Sequence, residues 1–284
     1  MLDTSSLAAW HSDAADIARE EEKRELSPSS FFYSQGRALV LAAEYFKDER
    51  LSQGARGGVA NKHRHRIYLA LFGQMMASFE YLLKDFIARV VDIIPTFDDR
   101  IREAKWVTVD SERVLSARAA PTSPGALLFH STLGWHDPEE VNKRYTHLFH
   151  SAPIEASEYE TLGALWILRH SVAHNAGFVT SVDSARARIP QLSRRVADIS
   201  PQHVSETLEF LSPIARRIAE GVGGKVIGQW LAPRAASGPD YRRDRETYKR
   251  LKLLASFVDS RAQPMPKITK GTYSADYQKA VADD

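Results

Sequence analysis

The chain has 284 residues, 43% of them hydrophobic and 26% charged, with 38 Lys and Arg against 36 Asp and Glu. This composition excludes intrinsic disorder, and a chain of this length buries roughly three quarters of its unfolded surface, enough for one large domain or two small ones. With no cysteine there are no disulfides and no thiolate metal sites, which fits a reducing compartment; the formal net charge of +2 is too balanced to announce nucleic-acid binding.

The N-terminus, MLDTSSLAAWHSDAADIAREEEKRE, turns acidic where a secretory signal would turn apolar, so it is expected to be mature protein. Leu7 to Glu25 has helical spacing, and Ser27-Pro28-Ser29-Ser30 is expected to stop it. Gln35 to Leu51 predicts a second helix, and Gln53 to Gly58, with three glycines, a loop. From His65 the pattern is the clearest in the chain. Ile67, Leu71, Phe72, Met75, Phe79, Leu82, Leu83, Phe86, Val90 and Ile94 recur at three- and four-residue spacing, which predicts a long amphipathic helix ending before Pro95. The charges within this stretch, among them Glu80, Lys84, Asp85 and Arg89, rule out an ordinary membrane span, and we expect a soluble cytoplasmic protein.

Residues 96–136 carry weaker signals: a Trp106-Val107-Thr108-Val109 stretch and a Pro/Ser/Gly loop from Ala119 to Gly125. Asp137-Pro138-Glu139-Glu140 reads as a capped helix start. Another helix is predicted from about Ser157 to His174, with Asn175-Ala176-Gly177 as its stop. Ser200-Pro201 opens a helix expected to run to Glu220 and end at Gly221, Arg242 to Val258 reads as a last helix, and residues beyond Arg261 as a polar tail. With no repeat and no run of strands, the fold is expected to be mainly α.

The polar residues of ILRHSVAHNAG, residues 167–177, carry the chemistry. At about 100° per residue His170 and His174 lie about 40° apart on one helical face, whereas Arg169 and His174 lie about 140° apart. Histidine can take or give a proton near neutrality, and arginine forks onto phosphate oxygens. RNA carries its own nucleophile in the 2'-hydroxyl, so its cleavage needs only proton transfer and stabilisation of added negative charge. Cations that merely decorate a helix C-terminus would give the same residue pattern.

Arg169, the polar His170, three variable positions and His174 near a helix end resemble the signature of the HEPN superfamily. The likeness extends in outline over residues 65–220, with Glu80 on the earlier long helix where the family often has a glutamate. The resemblance implies a HEPN-like helical bundle over residues 61–235, with an N-terminal helical extension at 1–60 and a C-terminal helix and polar tail at 236–284. It further implies a homodimer whose two motifs meet across a cleft, acting as an endoribonuclease that needs no metal or other cofactor, in toxin or antiviral defence systems. Arg169, His174, His170 and Glu80 would be the catalytic residues, RNA the substrate, and an antitoxin or regulatory protein a further partner, with no membrane involved. Many relatives are inactive binding or dimerisation modules, and a structural helical protein is the third alternative. The branch with a tyrosine two residues after the histidine is not matched, since Ala176 stands there.

His147 and His150 have the i,i+3 spacing of metal ligands but lack a third partner in sequence, so no metal site is expected. Lys62 to Arg66 and Arg242 to Arg245 with Lys249-Arg250 are basic enough to grip a nucleic-acid backbone, although each also suits a solvated helix face. No Walker loop, dinucleotide fingerprint or G-x-S-x-G motif is present, which argues against ATP, NAD and serine-hydrolase chemistry.

Overall fold

The three- and four-residue spacing of apolar side chains between Ile67 and Ile94 builds one helix around which the others assemble. A computed structural model describes residues 27–47, 57–104, 106–107, 123–129, 134–259 and 266–283, and these form a mainly helical bundle. The expected helix at Leu7 to Glu25 lies outside the described residues. Helix α1 is Pro28–Lys47 and α2 is Gly57–Ile93. At 37 residues α2 is about 55 Å long. Phe72, Met75, Phe79, Leu82, Leu83, Phe86 and Val90 are fully or almost fully buried along its predicted face.

Helix α1 starts seven residues earlier than expected, because Ser27-Pro28 opens a helix and does not close one. Phe31 N–H donates to the Ser27 carbonyl, and proline is suited to a first turn whose N–H groups have no helical partner. Helix α2 likewise takes in Gly57 and Gly58, although their glycines predict a loop. Glycine costs a helix about 1 kcal/mol against alanine but does not forbid it.

Four short to medium helices follow: α3 (Asp98–Glu103), α4 (Pro124–Phe129), α5 (Pro138–Phe149) and α6 (Tyr159–Asn175). Pro124 and Gly125 open α4 instead of belonging to a loop, since Ser123 Oγ accepts from Ala126 N–H and Asp92 Oδ1 accepts from Gly125 N–H. Asp137 caps α5 as its sequence predicts, accepting from the N–H groups of Glu139 and Glu140. After α6 come β1 (Phe178–Val179), α7 (Ser181–Arg186) and β2 (Arg195–Val196), the two strands pairing antiparallel with Phe178 opposite Val196.

Helix α8 (Pro201–Arg216) does not end at Gly221. It passes through a π-helical turn, Arg217–Val222, into α9 (Gly223–Leu231). The apolar row continues through Leu211, Ile214, Ala215, Ile218, Ala219, Val222, Val226 and Ile227, all buried, so burial overrides the glycine. The π turn also aims Arg217 at the segment before α6: its Nε donates to the Pro153 carbonyl at 2.8 Å and its guanidinium pairs with Glu155 and Glu158.

Helix α10 is Tyr241–Leu254, and the expected polar tail contains a further helix, α11 (Lys270–Ala282), capped by Thr269. Tyr273, Tyr277 and Ala280 are its buried face, too sparse for apolar periodicity to reveal. Two phenol–carboxylate bonds join it to α10: Tyr273 Oη to Asp244 Oδ2 at 2.7 Å and Tyr248 Oη to Asp276 Oδ2 at 2.8 Å. Burial pushes the Asp244 carboxyl up, but the Tyr273 bond and the charges of Arg243 and Arg234 outweigh it and hold the group below its usual range. Buried residues of α1, α2, α5, α6 and α8 to α11 belong to one core cluster, and among the described residues no helix is long and apolar enough to cross a membrane.

Tyr273→Phe removes one donor to a carboxylate that is 5% exposed, and is expected to cost about 1–2 kcal/mol of unfolding free energy. Urea denaturation measures this. An unchanged midpoint would mean that the bond does not hold α11 in place.

Candidate functional site

Helices α2 and α6 pack antiparallel, and their register decides which polar residues meet. Gly177 lies against Leu69, Gly73 against Val172, and the rings of Phe79 and Trp166 are 6.3 Å apart. Side chains lean toward the N-terminus of their own helix, so Arg169 reaches back along α6 toward Glu80 of α2. Its guanidinium nitrogen comes within 3.7 Å of Glu80 Oε2.

Glu80 is the hub. Its side chain is 12% exposed; Oε1 accepts from Lys84 Nζ at 2.7 Å, and Oε2 faces both Arg169 and His136 Nε2, the latter at 2.8 Å. Burial alone would raise its pKa, yet the bonds and charges of His136 and Lys84 lower it to about 2, so the carboxylate is ionised throughout the neutral range.

His136 comes from the segment before α5, and that segment is firmly mounted. The buried Arg144 donates to the Gly134 carbonyl at 2.6 Å, and its guanidinium carbon lies 4.7 Å from the Trp135 ring centroid and 5.6 Å from that of Trp106. The His136 ring sits edge-on to Trp166 of α6 at 6.4 Å.

His170 and His174 are exposed, with ring centroids 4.6 Å apart, as their shared helical face predicts. The four residues picked out in sequence thus fall into two pairs, Glu80 with Arg169 and His170 with His174. Arg169 directs its ionic contact to Glu80 and not to His174, in keeping with the angle of about 140° between them on the helix. Sequence reasoning missed Lys84 and His136. The i,i+4 spacing from Glu80 was a usable signal for Lys84, whereas His136 lies 56 residues from Glu80 and had none.

The stop signal of α6 behaves as expected. Ala176 takes a left-handed conformation with φ 51°, Gly177 follows with φ 87°, and Gly177 N–H returns to the Ser171 carbonyl at 3.0 Å. A Cβ at Gly177 would meet Leu69 Cδ1 at 2.8 Å, so glycine is needed for both conformation and space. Gly177 then leads into β1, and its carbonyl accepts from Ala197 N–H at 2.9 Å, which ties the helix end to β2.

The other residues singled out have structural work. His147 Nε2 donates to the Arg100 carbonyl at 2.9 Å, and His150 is the left-handed cap of α5. Within the basic run on α10, Arg243 bonds to the buried Asp244. Arg64, His65 and Arg66 lie on α2, with Arg66 exposed; the side chains of Lys62 and His63 lie outside the described residues.

Comparison with models of known protein families, with curated proteins and with solved structures finds no match.

Two outcomes test the geometry. Glu80→Gln is expected to cost about 2 kcal/mol, since it leaves the Lys84, His136 and Arg169 groups without their anion. Because Glu80 has a depressed folded pKa, its contribution is complete above about pH 4.5 and is lost as pH falls toward about 2. The gap between wild type and variant in urea unfolding should therefore be constant from pH 7 to 5 and narrow below that; a gap that persisted undiminished at pH 3 would contradict it. Ala176→Gly should stabilise the fold by about 1 kcal/mol by relieving the left-handed alanine, read as a higher melting temperature.

Proposed function

We propose that this chain is a metal-independent endoribonuclease of the HEPN type, in which Arg169 contacts the scissile phosphate and His174, with His170 beside it, transfers protons. The observation that carries this is the end of α6: two exposed histidines stand one turn apart, next to an arginine oriented by an ionised carboxylate. The reaction needs no added nucleophile. The 2'-oxygen bonds to the adjacent phosphorus, the bond from phosphorus to the 5'-oxygen breaks, one proton leaves the 2'-hydroxyl and one reaches the departing 5'-oxygen. The products are a 2',3'-cyclic phosphate and a 5'-hydroxyl.

The ribbon after His174 supports a single-stranded substrate. Phe178 and Val196 form an exposed cross-strand pair, 41% and 51% accessible, with Arg194 and Arg195 exposed alongside. An exposed aromatic ring on a ribbon that also carries arginines suits base stacking and phosphate contact. We further propose a homodimer that brings two copies of His174 to one cleft, working in the cytoplasm as a toxin or defence effector restrained by an antitoxin or regulatory protein. The pairing of Arg169 with Glu80 favours a second reading, a non-catalytic RNA-binding or dimerisation module, in which the arginine is structural.

Cleavage of single-stranded RNA in excess EDTA, with 2',3'-cyclic phosphate ends, is the expected result. His174→Ala should lower turnover by about a hundredfold or more at little cost in stability, and Arg169→Ala should weaken both affinity and turnover. Replacing the 2'-hydroxyl at the cut site by methoxy should stop cleavage and leave binding largely intact. Cleavage abolished by EDTA rejects the mechanism; binding without cleavage under every condition selects the second reading. A monomer by light scattering at micromolar concentration rejects the composite cleft.

A further inference from the structure

We propose that His136, held by the Glu80 carboxylate, is the base that takes the proton from the 2'-hydroxyl, leaving a His174 of the dimer cleft proposed above to protonate the departing oxygen. This deepens the RNA-cleavage reading above and rests on it. No feature of the R-x4-H motif points to His136, which comes from a different part of the chain and meets Glu80 only through folding.

The hydrogen bond determines the chemistry of the ring. An ionised carboxylate can only accept, so in the neutral imidazole Nε2, 2.8 Å from Glu80 Oε2, must carry the proton. The lone pair then sits on Nδ1, the nitrogen with no partner in the Glu80 cluster. A carboxylate behind the distal nitrogen also stabilises the imidazolium that forms when Nδ1 takes a proton, as in other carboxylate–histidine pairs of acid–base catalysis. Among the described residues neither His170 nor His174 has a carboxylate in this role: their near neighbour is the other's ring.

The mount is rigid and the ring is open. Glu80 is 12% exposed and His136 44%, so the carboxylate is sheltered while the imidazole meets solvent. Trp166 flanks the ring, and Arg144 with Trp135 fixes the backbone behind it. Preorganisation of this kind is what a proton-transfer group requires, because a base that must first be ordered loses much of its advantage.

Arg169 supplies the second half. It lies 3.7 Å from the same Oε2 that holds His136, so one oxygen orients both a phosphate-binding fork and a base. In RNA the 2'-hydroxyl and the phosphate it attacks are on adjacent atoms of one nucleotide, and a base and a guanidinium sharing one anchor match that arrangement. Among the described residues, the charged groups gathered with His136 are Glu80 and, through it, Lys84 from α2 and Arg169 from α6, with Asp137 adjacent in sequence and Arg144 of α5 beneath the segment. The step balances: the 2'-proton passes to His136 Nδ1, the new bond forms at phosphorus, His174 gives its proton to the 5'-oxygen, and exchange with water restores both rings.

The decisive experiment combines kinetics with nitrogen NMR of the histidine rings. His136→Gln keeps an N–H donor for Glu80 but has no lone pair of comparable basicity, so it should unfold at the wild-type temperature and lose about a hundredfold or more in kcat with KM little changed. His136→Ala should lose as much and recover part of its activity in added imidazole. In wild type the neutral His136 ring should be the Nε2–H form, and Glu80→Gln should abolish that preference. Wild-type kcat in a folded His136→Gln, or an Nδ1–H ring in wild type, overturns the proposal. RNA left intact by wild type sinks the cleavage reading instead, and the ring tautomer still decides whether Glu80 poises His136.

Discussion

Among the described residues, the burial of one long helix is the constraint on which the rest of the bundle depends. The apolar face of α2 offers more surface than any single partner can cover, so α1, α4, α6, α8 and α10 all pack on it. A helix enclosed in this way must also find partners for the polar residues it carries inward. At Glu80 the answer is Lys84 on the same helix, Arg169 from α6 and the imidazole of His136 from the segment before α5. An anion sheltered to this degree is costly unless it is paired and hydrogen-bonded, so its need for partners holds His136 and Arg169 in place.

Charged side chains that hold polar partners at the joints between elements recur elsewhere. Arg217, turned by the π segment, grips the loop that leads into α6 through Pro153, Glu155 and Glu158. Asp244 draws Tyr273 of α11 together with Arg234 and Arg243. Asp92 of α2 holds the start of α4. In each case apolar burial brings the elements together, and a directional polar contact then decides their register. The candidate site follows the same rule, and there the partners of the carboxylate include an imidazole that is 44% exposed.

Where local and tertiary signals agreed, sequence reasoning reached the right structure. The apolar period of α2, the Asp137-Pro138 cap of α5, the Ser200-Pro201 start of α8 and the Asn175-Ala176-Gly177 end of α6 all depend on nearest neighbours along the chain. It failed where a local signal was ambiguous or outweighed. Ser27-Pro28 carries the same start signal as Ser200-Pro201, but the polar residues around it suggested a stop. Gly221 would end an isolated helix, and the buried row from Leu211 to Ile227 carries the chain through it. Helix α11 has so few apolar residues that its order depends on contacts with α10 which no periodicity encodes.

By itself the sequence determined that the chain is mainly helical, that its longest helix is amphipathic, and that two histidines share the last turns of α6, because helix period and capping are local properties. It also placed Arg169 off the face of His174, which follows from the angle per residue alone. Only the tertiary structure decided where Arg169 points, that Glu80 is ionised and sheltered, and that His136 completes the cluster. Those facts depend on the antiparallel register of α2 and α6 and on Arg144 fixing a segment far from Glu80 in sequence, and no local rule relates positions 80, 136 and 169 before the core brings them together.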